Sequence, residues 1–110
     1  MNNFKVILED LEIKMYLGIH DFEKINPQRV LICAEMDFEA MSVGKSDIFD
    51  YDRVVDFIRS FSLTSIETQE ELVKSIHDFV MSLGAISAKI YSRKPDVYGD
   101  CKSIGISYQG

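Results

Sequence analysis

The side chains of this 110-residue chain that could move protons are dispersed rather than clustered. Glu23 lies in a loop-like segment, Tyr51 at a helix start, Glu70 in a first helical turn and Lys94 directly before Pro95. Taken singly they read as a solvated carboxylate, a partly buried aromatic, an acid favoured by a helix dipole and a solvated strand end. His20 and His77 stand alone, and a lone histidine is more often a surface or packing residue than a functional one. The sequence contains no glycine-rich phosphate loop, His-x-x-x-His pair, Cys-x-x-Cys pair or nucleophile elbow, which argues against metal catalysis. Cys33 and Cys101 have neither metal-ligand spacing nor the density of a disulfide scaffold, and both are expected to be reduced.

The elements that must position these groups are legible from periodicity. Phe4, Val6 and Leu8 alternate with charged residues, and Leu11, Ile13, Met15 and Leu17 alternate on the opposite parity. A bulge near Glu9 and Asp10 would return one face to the core. Residues 18–28 hold a glycine, an Asn-Pro pair and several charges, as an ordered connection between strands would. A long second strand follows, with Val30, Ile32, Ala34, Met36, Phe38 and Ala40 on one face. After a polar stretch, Val54, Phe57, Ile58 and Phe61 mark a helix that Asp50 is placed to cap. Leu72, Val73, Ile76, Phe79, Val80 and Leu83 mark a second, with Thr68 and Glu71 as a capping box and Gly84 as its left-handed terminator. Ile86, Ala88 and Ile90 begin a third strand that ends at Lys94 and Pro95, and Ile104, Ile106 and Tyr108 form a fourth.

The expected fold is therefore α+β in the order β-β-α-α-β-β, a single domain over residues 1–110, with one antiparallel sheet and both helices on a single face. Such a sheet keeps two open edges, and closing sheets from several subunits into a barrel would cover them. A chain of this length should hide roughly 65% of its unfolded surface, enough for a core without staples. Twelve Lys and Arg against eighteen Asp and Glu give a net charge of -6, a field that repels nucleic acid and anionic membranes. The first residues lack a basic segment leading into an apolar run, so a cytoplasmic protein is expected, and no stretch is long and apolar enough to span a bilayer.

Taken together, Gly18-Ile19-His20-Asp21-Phe22-Glu23, Asn26-Pro27-Gln28-Arg29-Val30, Asp50-Tyr51, Glu70-Glu71-Leu72-Val73 and Lys94-Pro95 resemble, in order and spread, the dihydroneopterin aldolases of folate biosynthesis. The resemblance covers nearly the whole chain. It implies the tunnelling fold, in which subunits close their sheets into a ring, two rings commonly stack, and active sites lie between neighbouring subunits. A homo-oligomer, tetramer or octamer, is the implied assembly.

Carried over residue by residue, the resemblance makes Glu70 the carboxylate that grips the amino-pyrimidinone edge of a pterin, offering two acceptors to two adjacent N–H donors. Lys94 and Tyr51 resemble a proton-transfer pair, and Glu23 the acid that orients or charges the lysine. The backbone of Gln69 and the neighbourhood of Asp50 would line the pterin slot. Glu67 is a rival anchor, but register from Glu70 places Leu72, Val73, Ile76 and Val80 at the helix's core positions, whereas register from Glu67 would place Gln69, Glu70 and Lys74 there.

The implied activity is that of a lyase, cleaving 7,8-dihydroneopterin by retro-aldol reaction into 6-hydroxymethyl-7,8-dihydropterin and glycolaldehyde. The dihydropterin imine accepts the electrons, so no cofactor, metal or Schiff base is implied and the protein supplies position and proton transfer. Two other readings share the fold. A dihydroneopterin triphosphate epimerase would need to accommodate a triphosphate, against which the acidic composition argues. A non-catalytic pterin-binding ring protein would need only the anchor, and the joint presence of Glu23, Tyr51 and Lys94 argues against it.

Overall fold

The computed structural model describes all residues 1–110. Strand β1 (Asn2–Leu17) leads through a one-turn helix α1 (Asp21–Ile25) into strand β2 (Gln28–Ala40). A 3-10 turn then precedes helix α2 (Tyr51–Arg59), the two-residue strand β3 (Ser65–Ile66) and helix α3 (Gln69–Ser82). Strands β4 (Ser87–Lys94) and β5 (Ile104–Gln109) complete the chain. The sheet runs β3-β1-β2-β4-β5, antiparallel from β1 through β5, with β3 added parallel to the end of β1.

The switch of parity in β1 is a bulge. Leu8 lies opposite Ala34 and Leu11 opposite Ile32, so Glu9 and Asp10 together face the single residue Cys33. Asp10 takes a φ of 53°, a left-handed conformation that Asp tolerates better than most residues. Its carboxylate accepts hydrogen bonds from Arg93 at 2.6 Å and from the Cys33 thiol at 3.3 Å. Beyond the bulge Ile13, Met15 and Leu17 are buried, while Val6 and Leu8 before it pack against the same core.

That core lies between the sheet and the two longer helices. Val54 and Ile58 of α2, and Leu72, Val73, Ile76 and Val80 of α3, meet Ile13, Met15, Val30, Ile32 and Ile90 of the sheet. Thr68 caps α3 by accepting the Glu71 amide at 3.1 Å, and Gly84, at φ 100°, follows its C-terminal end. The far face of the sheet is polar, with exposed pairs such as Lys5–Glu35. Solvent screens pairs of that kind, so the helical face supplies most of the cohesion.

Four details differ from the sequence reading. The connection over residues 18–28 contains helix α1. The parallel strand β3 was not expected, since two residues show no alternation. Ile86 precedes β4 and is 51% exposed, its amide bonding to the Asp37 carbonyl instead of its side chain joining the core. Asp50 occupies the cap position of α2 but its side chain makes no capping hydrogen bond. No helix is long and apolar enough to cross a membrane.

Most of β1's outer edge and all of β5's outer edge carry no partner strand. Because Leu72 is fully buried between α3 and the sheet, Leu72→Ala should cost about 3 kcal/mol through lost transfer energy and the cavity left behind. Urea unfolding followed by circular dichroism measures it, and a loss below about 1 kcal/mol would mean that the helix is not anchored at this position.

Candidate active site

Lys94 is the last residue of β4, and alternation from Ala88, Ile90 and Ser92 turns its side chain toward the helices. It is 6% exposed. Its ammonium donates to the main-chain carbonyl of Leu17 and, at 2.7 Å, to Glu23 Oε2. These acceptors occupy two of its three donors.

Glu23 is 7% exposed and reaches the lysine because the chain turns sharply after β1. A Cβ at Gly18 would overlap the Glu23 carboxylate, so only glycine allows the acid to lie against the end of the strand. The His20 amide donates to Glu23 Oε1 at 3.3 Å. Gln28 closes the connection from the other side: its Oε1 accepts the Leu17 amide at 2.8 Å and its Nε2 donates to the Glu23 carbonyl at 3.3 Å. Burial alone pushes the Glu23 carboxyl up, but the hydrogen bond from Lys94, the His20 amide and the neighbouring positive charge together hold it below the usual glutamate value.

The first turn of α3 faces this pair across a cavity of about 600 Å³, within the range of small-molecule sites. Gln69 and Glu70 line it together with Glu67 and Thr68. The Gln69 side-chain carbonyl accepts the Ser92 hydroxyl at 2.8 Å. Leu72, Val73, Ile76 and Val80 are all buried, so the helical register is the one counted from Glu70, although Glu67 borders the same space. Ile19, Phe22, Val97, Tyr98 and Ile104 supply an apolar rim.

Four of the residues singled out in the sequence therefore converge: Glu23, Gln69, Glu70 and Lys94. Tyr51 and Asp50 do not join them. Tyr51, 52% exposed, lines a separate cavity of about 380 Å³ beside Val6, Ile7, Leu8 and Met36. Asp50 lines another depression with Phe38 and Arg53. His20 stands at the rim of the Lys94 cavity, stacked on Phe22 with centroids 5.8 Å apart. His77, a buried residue of α3, packs against Tyr108 of β5.

Sequence reasoning had no signal for the Leu17 carbonyl, because any residue carries one. Ser92 could have been found, since it shares the parity of Ala88 and Ile90 and a hydroxyl on a core face needs a partner. The clamp by Gln28 depends on two backbone groups brought together only by the turn.

The family model described as FolB, dihydroneopterin aldolase, matches residues 6–109. No curated protein matches the sequence. Among solved structures, the putative dihydroneopterin aldolase FolB of Vibrio cholerae O1 biovar El Tor superposes with a TM-score of 0.89 at 20% identity, covering 100% of this chain and 98% of its own. The E. coli dihydroneopterin aldolase, solved in complex with neopterin, gives 0.88 at 16% identity over 97% and 98%. The Burkholderia thailendensis enzyme, bound to guanine, gives 0.78 at 20% over 98% and 90%. At these identities the superpositions speak to the fold.

Folding stabilises the ionised form of Glu23, so its contribution is complete above the ordinary glutamate value of 4.5 and is lost as pH falls through the lower folded value. Unfolding free energy should fall with acidification below that point and fall less steeply in Glu23→Gln, as urea titrations at a series of pH values would show. Equal slopes would mean that the carboxylate gains no ionised-state stabilisation from Lys94.

Proposed function

The chain belongs to the dihydroneopterin aldolase family, and from that premise we propose that it cleaves 7,8-dihydroneopterin into 6-hydroxymethyl-7,8-dihydropterin and glycolaldehyde in the cytoplasm. The observation that carries this reading is the buried Lys94 ammonium, bonded to Glu23 and bordering the same cavity as Glu70. An ammonium withdrawn from water and held by fixed acceptors is built to transfer a proton to a bound molecule rather than to solubilise a strand end.

In this mechanism Glu70 accepts two N–H groups from the amino-pyrimidinone edge and so fixes the ring. The backbone at Gln69 borders the slot. Neopterin and guanine, held by two of the structural neighbours, share that edge, which supports the assignment of a carboxylate to it. Lys94 and Tyr51 transfer the protons of the side-chain cleavage, Glu23 orients Lys94, and the ring imine receives the electrons of the broken carbon–carbon bond. No Schiff base or metal is needed for that sink.

Because Tyr51 and Asp50 lie apart from Lys94 within one chain, the proposed site is completed by a neighbouring copy that brings its own Tyr51 and Asp50 to the Lys94 cavity. The unpartnered edges of β1 and β5 are suited to join such copies into a homo-oligomer of four or eight subunits. Three carboxylates, Glu23, Glu67 and Glu70, border the cavity with a single ammonium that is already paired. That balance disfavours a triphosphate and favours the aldolase over the triphosphate epimerase.

Incubation with dihydroneopterin should release glycolaldehyde, and Lys94→Ala should slow single-turnover cleavage by at least about a hundredfold while changing pterin affinity less than about tenfold. Epimerised product without glycolaldehyde would overturn the cleavage reading. Tyr51→Phe and Lys94→Ala subunits, each impaired alone, should regain activity when mixed and reassembled, because some interfaces would then combine an intact Lys94 with an intact Tyr51. Persistent inactivity of an assembled mixture would place both groups in one subunit's site.

A further inference from the structure

We propose that Ser92 is a positioning residue that sets the separation between Lys94 and Glu70 by holding Gln69. The inference rests on the pterin reading of the cavity and adds to it a group that touches no substrate. Ser92 is fully buried in β4, on the helix-facing side between Ile90 and Lys94. A hydroxyl there must be satisfied from within the protein, and it donates to Gln69 Oε1 at 2.8 Å.

The first turn of α3 has little else to locate it against β4. Glu67, Glu70 and Glu71 are exposed, and the first fully docked side chains of the helix are Leu72 and Val73. Apolar burial therefore fixes the body of the helix, and the Thr68 cap orders its first turn without tying it to β4. The Ser92 bond crosses from the strand that carries the ammonium to the residue preceding Glu70. Ser92 and Lys94 are two positions apart on one strand face, roughly 7 Å, so the bond ties the helix start to the strand within one ring-width of the reacting group. A pterin spanning Glu70 and Lys94 requires that distance to be held.

Neopterin affinity, measured by titration calorimetry on the assembled protein, provides the test. Ser92→Ala and Gln69→Leu should each weaken binding about fivefold, and the double variant should lose about fivefold as well rather than the product of the two, because both remove one interaction. Cleavage at saturating substrate should change less than about twofold in Ser92→Ala, since Ser92 lies outside the cavity lining and does not meet the reacting atoms. Hydrogen exchange of the Glu71 and Leu72 amides, the first in the helix with acceptors, should quicken in Ser92→Ala while residues 76–80 keep the parent rate. Unchanged affinity in both variants, losses that multiply, or exchange that quickens throughout the helix would overturn the proposal. A parent protein with no neopterin affinity would instead overturn the pterin reading, and this inference with it.

Discussion

The Lys94 side chain leaves β4 on the side shared by Ala88, Ile90 and Ser92, and its ammonium enters a region that largely excludes water. A charge there costs several kcal/mol unless it is met. Two groups from the same turn of chain meet it: the Leu17 carbonyl at the end of β1 and the Glu23 carboxylate on α1. Breaking such a pair by removing one member leaves the other charge uncompensated, so the turn and the lysine are mutually dependent. The conformation of residues 18–28 follows from this constraint. Gly18 makes room for the acid, and Gln28 ties the turn's two ends together.

The same pair depends on a feature midway along β1. Without the bulge at Glu9 and Asp10, the residues after it would sit on the wrong face, because a slip of one position exchanges the two faces of a strand. Leu17 would then leave the core and the turn after it would start in a different direction. The bulge is held by Arg93 and Cys33 acting on Asp10. Arg93 is the immediate neighbour of Lys94 and points to the other side of β4, so adjacent residues of one strand support the two ends of this arrangement.

The cavity collects its walls from a strand end, a turn and a helix start, and holds Glu23, Gln69, Glu70 and Lys94. Tyr51 and Asp50 start α2 in another part of the molecule, over the β1 and β2 arm. The fold matches the dihydroneopterin aldolases closely at about one residue identical in five. A shared backbone at that identity reflects retained patterns of burial more than retained side chains, as expected when cores accept many apolar sequences of similar volume. The separation of the tyrosine from the lysine gives the open sheet edges a chemical consequence under the proposed mechanism, since joining copies would complete the reacting set as well as cover unpaired backbone.

What the sequence determined by itself was local. The alternation of β1, β2, β4 and β5, the bulge where parity changes, the stripe from Leu72 to Val80, the Thr68 cap and the Gly84 terminator were legible because each depends on residues within a few positions of one another. Alternation continued from Ala88 and Ile90 also puts Lys94 on the core side. What tertiary structure decided was which groups meet. Glu23 and Lys94 are 71 positions apart and Lys94 and Leu17 are 77 apart, encounters fixed by strand order, register and the turn at Gly18, none of which a periodicity encodes. Strand β3 was illegible because two residues cannot display a period, and its place follows from pairing with Tyr16 and Leu17. Ser92 with Gln69, Gln28 with two backbone groups, and the distance of Tyr51 from the cavity belong to the same class. Local pattern states which face a side chain takes, and only the packed chain states what stands opposite it.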